Sequence, residues 1–440
     1  MNAESKIDFI ASPINRLAGE LRIPGDKSIS HRAIIFASLA EGTSRITGLL
    51  NSEDAKATLN VFRNMGVEII YEDDIATIHG AGLYGLKAFD EAFYFGNSGT
   101  SVRLLAGILA AQSFDSTLTG DGSLSRRPMQ RIIAPLQEMG AEIFCSEDGT
   151  LPIFIKGGQS LKAINYKLPV ASAQLKSCLL LAGLYADGIT RINEPQITRD
   201  HTERMLTQFG GLINRNDMTI EVQPGSLKST DLTVPGDISS AAFFIVAGCI
   251  CPGADLLLLN VGINPTRAAV IDIIRMMGGD IEIVRSDETA AEPVADIRVR
   301  YSPLKGIAIP EQLVPIAIDE FPVVMVAAAY AKGETILSGA EELRVKESDR
   351  IEAVATGLKN LGIEVHTQSD GMVVRGGEVK GGEINSYGDH RIAMAFSIAA
   401  INATAPVTIR DCFNVNTSFP GFVESANELG CNISIKTDNV

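Results

Sequence analysis

One phrase recurs six times along this chain of 440 residues. It joins an amphipathic segment to a glycine and then to alternating apolar residues, as in NVFRNMGVEII around Gly66. The six glycines follow one another at intervals of 68 to 84 residues and are Gly66, Gly140, Gly210, Gly278, Gly362 and Gly430. A glycine between a helical pattern and a strand pattern is typical of a left-handed helix C-terminal cap. The chain is therefore predicted to consist of six similar units.

A second helical segment, rich in alanine and leucine, precedes each glycine. HRAIIFASLA and SAAFFIVAGCI are two examples, and both are apolar nearly all round. A helix of this kind is buried rather than half-exposed, so each unit is expected to hold one inner helix, one outer amphipathic helix and short covering strands. The order strand, helix, strand, helix, strand predicts an α/β fold. An open solenoid is the alternative, but solenoid repeats are usually about 20 to 50 residues long.

The two halves of the chain begin alike. PGDKSISHR starts at residue 24, and PGDISSAAF repeats its turn at residue 235 without its charges. A length prior of roughly 150 residues per domain allows two or three domains. The echo favours two similar domains of three units each.

Composition excludes several classes of partner. The formal net charge is −15 and no basic run of five residues occurs, so binding to nucleic acid or to an acidic membrane surface is not expected. The longest apolar run, at 241–251, is far shorter than the ~20 residues that span a bilayer, and the N-terminus lacks an apolar signal region. Six dispersed cysteines without a CxxC pair predict reduced thiols, no structural metal and a cytoplasmic protein.

The starts of the inner helices are candidate anion sites. They carry small and capping residues, and helix N-termini present unpaired N–H groups and partial positive charge. Lys27 is electrostatically unfavourable at such an end unless an anion shares the site. Arginines also recur 11 to 13 residues before four of the glycines, and these are Arg127, Arg199, Arg267 and Arg350. Solvated caps remain the alternative, but the shared register favours a ligand with several negative charges.

Nucleotide-binding motifs do not explain this pattern. GELRIPGDKS lacks the Gly-Lys-Ser/Thr adjacency of a P-loop, no GxGxxG follows a strand, and no acidic pair of the DxD kind is present. A kinase or a dehydrogenase is therefore not expected.

Eight motifs together resemble the 5-enolpyruvylshikimate-3-phosphate (EPSP) synthase family from end to end of the chain. They are PGDKSISHR, GNSGTSVRLLAG, SLSRRPM, SAQLKS, TRDHTE, IDEFP, LRVKESDR and GDHRIAMAF. The resemblance implies a two-domain inside-out α/β barrel with six βαβαββ repeats. It assigns residues 21–233 to the first domain and residues 1–20 plus 234–440 to the second, with an active site in the interdomain cleft.

The same resemblance implies the reaction. The enolpyruvyl group of phosphoenolpyruvate passes to the 5-hydroxyl of shikimate 3-phosphate by addition and elimination, in the pathway to chorismate and the aromatic amino acids. The implied enzyme is a cytoplasmic monomer without a cofactor, and these two small molecules are its partners. Addition and elimination each need a proton donor and a proton acceptor, so two acid–base groups are required.

Site residues follow from the matching motifs. Shikimate 3-phosphate is assigned to Lys27, Ser28, Arg32, Ser172, Gln174, Arg199, Asp319 and Lys346. Phosphoenolpyruvate is assigned to Lys27, Gly99, Arg127, Gln174, Arg350 and Arg391. The catalytic residues are Asp319 as base on the 5-hydroxyl, Glu347 as proton exchanger with the methylene carbon, and Lys27. A helix cap for Asp319 and a surface ion-pair network for Glu347 are the structural alternatives, and the role of His390 stays open.

Some positions depart from the family pattern. The better-known class has a lysine in a KTFP stretch where this chain has Thr417, whereas SAQ and KESDR resemble the second class, which is associated with glyphosate tolerance. Some members of that class have alanine at the position of Gly99. Three other functions are alternatives. The first is enolpyruvyl transfer to UDP-N-acetylglucosamine, but the enzymes for that reaction often carry a cysteine in the loop aligned with 120–131, and this chain has none there. The others are RNA 3′-terminal phosphate cyclisation and a non-catalytic anion-binding repeat scaffold.

Overall fold

Twelve α-helices occur within residues 6–288 and 291–438, the part of the chain that the computed structural model describes. Six are buried nearly all round: α1 (Lys27–Leu39), α3 (Gly99–Leu109), α5 (Ala173–Gly183), α7 (Ile238–Ile250), α9 (Phe321–Ala329) and α11 (His390–Ala399). Six are amphipathic: α2 (Glu53–Asn64), α4 (Gln130–Glu138), α6 (His201–Gln208), α8 (Ala269–Met276), α10 (Arg350–Asn360) and α12 (Phe422–Glu428). The two kinds alternate along the chain, which confirms the predicted inner and outer helices.

The six recurrent glycines end the amphipathic helices. Each lies just beyond the last residues of its helix, with φ between 77° and 102°. Side chains other than glycine rarely adopt this left-handed conformation, so the glycine permits the chain to leave the helix and enter the next strand. The predicted helix caps are confirmed.

Residues Gly25–Val234 form one compact unit with three sheets. Its strands are β3 (Ala40–Thr47), β4 (Glu68–Glu72), β5 (Ile75–Ala81), β6 (Phe93–Tyr94), β7 (Ser116–Thr119), β8 (Ile143–Cys145), β9 (Ile153–Ile155), β10 (Asn165–Lys167), β11 (Thr190–Asn193), β12 (Ile213–Asn216), β13 (Thr219–Val222), β14 (Leu227–Lys228) and β15 (Leu232–Thr233). The sheet orders are β14-β3-β5-β4, with β15 also on β3, then β6-β7-β9-β8 and β10-β11-β13-β12. In each sheet the first pair is parallel, as is β15 on β3, and the other pairs are antiparallel. The second and third repeats run β6-α3-β7-α4-β8-β9 and β10-α5-β11-α6-β12-β13, which is the order βαβαββ.

Met1–Pro24 and Pro235–Val440 form the other compact unit. Its strands are β1 (Lys6–Ser12), β2 (Ala18–Arg22), β16 (Asp255–Gly262), β17 (Asp280–Asp287), β18 (Val294–Arg300), β19 (Glu334–Leu337), β20 (Glu364–Gln368), β21 (Gly371–Arg375), β22 (Gly382–Asn385), β23 (Val407–Arg410) and β24 (Asn432–Asp438). The sheet orders are β17-β18-β16-β2, β19-β21-β20 and β22-β23-β1-β24. Strand β1 is antiparallel to both β23 and β24, and β2 is parallel to β16.

Each unit has its own hydrophobic core, built on its three inner helices. All 13 residues of α7 are buried, so this helix has no solvent-facing side. Among the described residues, no helix combines the length and the apolar character needed to cross a membrane.

Candidate active site

The first turn of α1 holds Lys27 at the positive end of a buried helix. Asp26 caps the helix, and its Oδ1 accepts a hydrogen bond from the Ile29 amide at 2.8 Å. Lys27 is the first helical residue, and its Nζ donates to Asp54 Oδ2 of α2 at 3.3 Å. A cation at a helix N-terminus is unfavourable, and the Asp54 carboxylate supplies opposite charge there.

Arg32 joins the start of α1 to two other helices. Its side chain is buried, Nε donates to Thr202 Oγ1 at 2.7 Å and Nη2 donates to Ser177 Oγ at 2.8 Å. Its Nη1 donates to the carbonyl of Ser28 at 2.9 Å. These three acceptors are neutral oxygens, and the bonds fix the orientation of the guanidinium.

Gly99 opens α3 directly against two arginines. A Cβ built on Gly99 would lie 2.7 Å from Arg103 Nη1 and 3.0 Å from Arg127 Nη1. The absent side chain therefore leaves space for two guanidinium groups beside the helix start. Arg127 Nη2 donates to Asn97 Oδ1 at 2.5 Å.

Arg103 was not predicted as part of the site. Its Nη1 donates to Gln174 Oε1 at 3.0 Å, and Gln174 Nε2 donates to Thr100 Oγ1 at 3.2 Å. The only sequence signal is its position one helical turn after Gly99, which places both residues on one face of α3. Arg103 and Gln174 thus tie the first turns of α3 and α5 together.

The start of α5 holds the loop that carries Arg199. Ser172 caps α5, where its Oγ accepts from the Leu175 amide at 3.3 Å. Lys176 is fully buried, with its Nζ 2.7 Å from Glu203 Oε1 and 3.1 Å from Glu194 Oε1. The same Nζ donates to the carbonyl of Thr198 at 3.4 Å. Arg199 is half-buried and directly follows Thr198 in the chain, so the Lys176 contact positions Arg199. Lys176 was not predicted as part of the site.

In the other unit, Arg350 is the first residue of α10 and is 1% exposed. Three carboxylates surround its guanidinium: Asp389 Oδ2 lies 2.8 Å from Nε, Glu347 Oε2 lies 2.6 Å from Nη2, and Asp319 Oδ1 lies 3.2 Å from Nη1. A buried guanidinium needs such partners, because an unpaired charge in the interior is strongly destabilising.

The pKa values in this cluster follow from burial opposed by charge. Burial by itself lowers the pKa of Arg350, but the carboxylates of Asp389, Glu347 and Asp319 raise it above its ordinary value. Burial likewise disfavours the charged form of Asp389, yet the guanidinium of Arg350 holds the pKa of that carboxyl below its usual range. Asp389 and Arg350 are therefore an ionised buried pair.

Two further predicted residues meet the same cluster. Lys346 Nζ lies 3.2 Å from Asp319 Oδ1. Arg391 Nη1 donates to the carbonyl of Asp319 at 3.0 Å and lies 3.6 Å from Glu320 Oε1. The structure thus brings five predicted residues together within this unit: Asp319, Lys346, Glu347, Arg350 and Arg391. With Asp389 and Glu320, the cluster combines three cations with four carboxylates, and paired groups of this kind suit acid–base chemistry.

The PGD sequence that precedes α1 occurs again before α7, where its environment is different. Asp237 caps α7 as Asp26 caps α1. Arg267 Nη2 donates to Ser239 Oγ at 2.6 Å and lies 3.3 Å from Asp237 Oδ1, while Ser239 donates a short hydrogen bond to Glu320. Arg267 is 2% exposed, so this member of the recurrent arginine set is enclosed by internal polar contacts.

Thr417 and His390 belong to the same unit as α7. Thr417 is buried, and its hydroxyl donates to the carbonyl of Asn414 at 2.7 Å, within the short helical turn Phe413–Thr417. His390 is the first residue of α11 and is buried beside Asp389. Within residues 6–288 and 291–438, no group of three or more histidine, cysteine or acidic side chains is arranged to hold a metal ion.

Comparison with known proteins matches nearly the whole chain. Residues 11–426 match the family described as EPSP synthase (3-phosphoshikimate 1-carboxyvinyltransferase). A 3-phosphoshikimate 1-carboxyvinyltransferase of Methylococcus capsulatus is 56% identical over 434 residues, covering 98% of this chain and 99% of the relative. One of Alkalilimnicola ehrlichii is 57% identical over 427 residues, covering 96% of each chain.

Solved structures agree. An EPSP synthase of Acinetobacter baumannii superposes with a TM-score of 0.89 at 51% identity, covering 98% of this chain and 100% of that one. The enolpyruvyl transferase NikO of Streptomyces tendae has a TM-score of 0.77 at 19% identity, covering 99% of this chain and 100% of that one, a likeness of fold alone. These matches confirm the predicted fold class, an inside-out α/β barrel of βαβαββ repeats.

Proposed function

We propose that this chain, which belongs to the EPSP synthase family, transfers the enolpyruvyl group of phosphoenolpyruvate to the 5-hydroxyl of shikimate 3-phosphate. The products are 5-enolpyruvylshikimate 3-phosphate and phosphate. The observation that carries the proposal is the cluster around Arg350, where two carboxylates and three cations predicted from the motifs lie in mutual contact. This transferase acts in the shikimate pathway to aromatic amino acids.

In the addition step, Asp319 takes the proton of the 5-hydroxyl as its oxygen attacks C2 of phosphoenolpyruvate, and Glu347 delivers a proton to the methylene carbon. The elimination step reverses both transfers: Glu347 takes a proton from the methyl carbon while the C2–O bond to phosphate breaks. Lys346, 3.2 Å from Asp319, supports the carboxylate form of the base. Arg350 and Arg391 supply positive charge for the substrate's carboxylate and phosphate.

The other unit supplies groups suited to the anionic ends of the substrates. Lys27, Ser28, Arg32, Ser172, Gln174 and Arg199 are proposed to bind shikimate 3-phosphate. Gly99, Arg127, Gln174 and Lys27 are proposed to bind phosphoenolpyruvate. Arg32 is already fixed by two hydroxyls and a carbonyl, so little side-chain entropy is lost when it grips a ligand. The proposal requires residues of both units to act on one pair of substrates.

We also propose that the enzyme acts as a monomer in the cytoplasm. All six cysteines are free thiols, which is usual in reducing compartments. Light scattering on the purified protein measures the mass directly, and a dimer would contradict this part of the proposal.

Phosphate release tests the function. Protein mixed with phosphoenolpyruvate and shikimate 3-phosphate should release phosphate, and omission of either substrate should abolish release. UDP-N-acetylglucosamine in place of shikimate 3-phosphate is the matched control for the sister reaction. Turnover with that acceptor alone, or none with either, would overturn the proposal.

A further inference from the structure

A cavity of about 340 Å³ lies in the Gly25–Val234 unit, and none of its lining residues is assigned to either substrate. It is formed by α1, α2, strand β4 and the segment that joins β3 to α2. Pockets that bind small molecules typically measure about 300 to 1,000 Å³ and combine an apolar lining with a few polar groups. The size of this cavity therefore falls within the range of a ligand site.

The floor of the cavity is apolar and fixed. Ile34 of α1 is fully buried, and Leu49, Leu50 and Leu59 are 8%, 4% and 7% exposed. Ile34, Leu49 and Leu59 belong to the core of the unit, so the floor is held by packing on its far side. An apolar ring or branched chain placed here would remove apolar surface from water, the main source of affinity for such a body.

The rim of the cavity is cationic. Lys56, Asn60 and Arg63 follow one another at helical spacing along α2, so they share a face, and all three line the cavity. Arg63 Nη2 donates to the carbonyl of Ile69 at 3.0 Å, which fixes its guanidinium. Neither Lys56 nor Arg63 contacts a carboxylate within the described residues, although the chain carries a net charge of −15.

A buried hydroxyl completes the lining. The Tyr71 hydroxyl has no hydrogen-bond partner among the described residues. Burial raises the pKa of Tyr71, and nearby Asp74 adds to the rise. A buried hydroxyl without a partner is costly, and a ligand oxygen would satisfy it.

We propose that this cavity binds a small amphiphilic anion, with an aromatic or branched apolar body on the leucine and isoleucine floor and one acidic group between Lys56 and Arg63. Each part of the lining selects one part of that molecule. A neutral molecule of the same shape lacks the charged contacts, and a short inorganic anion lacks the apolar body. The site is separate from the substrate groups, so substrates and this ligand bind together.

Titration calorimetry with naphthalene-2-sulfonate tests the proposal on the full chain. We expect one saturable site for the sulfonate. The affinity for 2-naphthol should be at least about tenfold lower, because hydrogen bonds to charged groups are stronger than those between neutral groups. Lys56→Gln with Arg63→Gln should weaken sulfonate binding by about tenfold or more. Arg45→Gln with Lys228→Gln, which removes two exposed cations from the same unit, should leave the Kd within about twofold.

A second variant tests whether the ligand occupies the cavity without changing the charge of its lining. Asn60→Trp adds bulk at an exposed lining position and should abolish binding while phosphate release persists. Saturating phosphoenolpyruvate and shikimate 3-phosphate should leave the Kd of the sulfonate unchanged. Each of three results would overturn the proposal. These are the absence of saturable binding, a Kd for the Lys56 and Arg63 double variant equal to that of the parent, and displacement of the sulfonate by the substrates.

Discussion

Glu347 Oε2 lies 2.6 Å from Arg350 Nη2, so the carboxylate proposed to exchange a proton with substrate is held by a buried guanidinium. Glu347 lies three residues before Arg350, in the segment that leads into α10. Their contact sets the direction of the carboxylate before any substrate arrives, which is the preorganisation that acid–base catalysis needs.

Glu347→Gln separates this contact from proton transfer. The glutamine oxygen still accepts a hydrogen bond from Arg350, but the amide cannot exchange a proton with carbon. We expect kcat to fall by roughly 10² or more while the affinity for shikimate 3-phosphate changes only a few-fold. Glu341→Gln, an exposed glutamate six residues earlier, is the control for lost charge. Unchanged turnover in Glu347→Gln would remove Glu347 from the mechanism.

Arg199→Ala should affect binding instead. Lys176 contacts the Thr198 carbonyl, which directly precedes Arg199. Loss of the Arg199 side chain removes a cation proposed to bind shikimate 3-phosphate and leaves Asp319 and Glu347 unchanged. We expect KM for shikimate 3-phosphate to rise by roughly tenfold or more with kcat within a few-fold. Arg191→Ala, at an exposed position of β11, should behave like the parent in steady-state kinetics. A fall confined to kcat would contradict the division of roles.

Gly99→Ala adds a methyl group beside two arginines. Its Cβ would lie 2.7 Å from Arg103 Nη1 and 3.0 Å from Arg127 Nη1, so both guanidinium groups must shift. We expect KM for phosphoenolpyruvate to rise. The family resemblance implies that glyphosate, a longer molecule, binds in the place of phosphoenolpyruvate, and its inhibition constant should rise by a larger factor. Steric rejection can exceed the ~1 to 3 kcal/mol that one missing methylene contributes.

The matched control for that change is Gly122→Ala. A Cβ on Gly122 would meet nothing closer than Arg126 Nη1 at 3.8 Å. Its kinetic constants should equal those of the parent. Equal factors for glyphosate and phosphoenolpyruvate in Gly99→Ala would show that the backbone at Gly99 does not discriminate between the two ligands.

His31 predicts how stability depends on pH. Its Nδ1 lies 2.8 Å from Thr58 Oγ1 and 3.1 Å from Ser101 Oγ, inside a network that joins α1, α2 and α3. Burial, with Lys27 and Arg32 nearby, lowers the pKa of His31 to about 3. The unfolded chain therefore takes up a proton below about pH 6.5, and the folded protein takes it up only near pH 3.

The stability from neutral His31 is fully present above pH 6.5 and is lost as pH falls toward 3. Between pH 7.5 and 5 this one group should lower the free energy of unfolding by about 2 kcal/mol. Urea denaturation should show that loss reduced by the same amount in His31→Gln, whereas His79→Gln, at an exposed position on β5, should keep the parent's dependence. Parallel curves for the parent and His31→Gln would contradict the prediction.

The sequence by itself predicted the repeats and their helices because those signals are local. A glycine such as Gly66 ends a helix through its own backbone conformation, and apolar periodicity distinguishes an inner helix from an outer one within about a dozen residues. The motifs also identified the five residues that meet around Arg350. Their assigned chemical roles remain predictions.

Only the tertiary structure decided which partners each charged residue meets. Arg267 and Arg350 share one register in the repeat, yet Arg267 is enclosed by Asp237, Ser239 and Glu320, whereas Arg350 joins Glu347 and Asp319. Sequence periodicity cannot distinguish them, because the difference lies in side chains contributed by other helices of the unit. The sequence also could not predict the placement of Arg103 and Lys176 or the cavity beside Lys56. Electrostatic and packing contacts depend on distance in space, and folding brings together groups far apart in the chain.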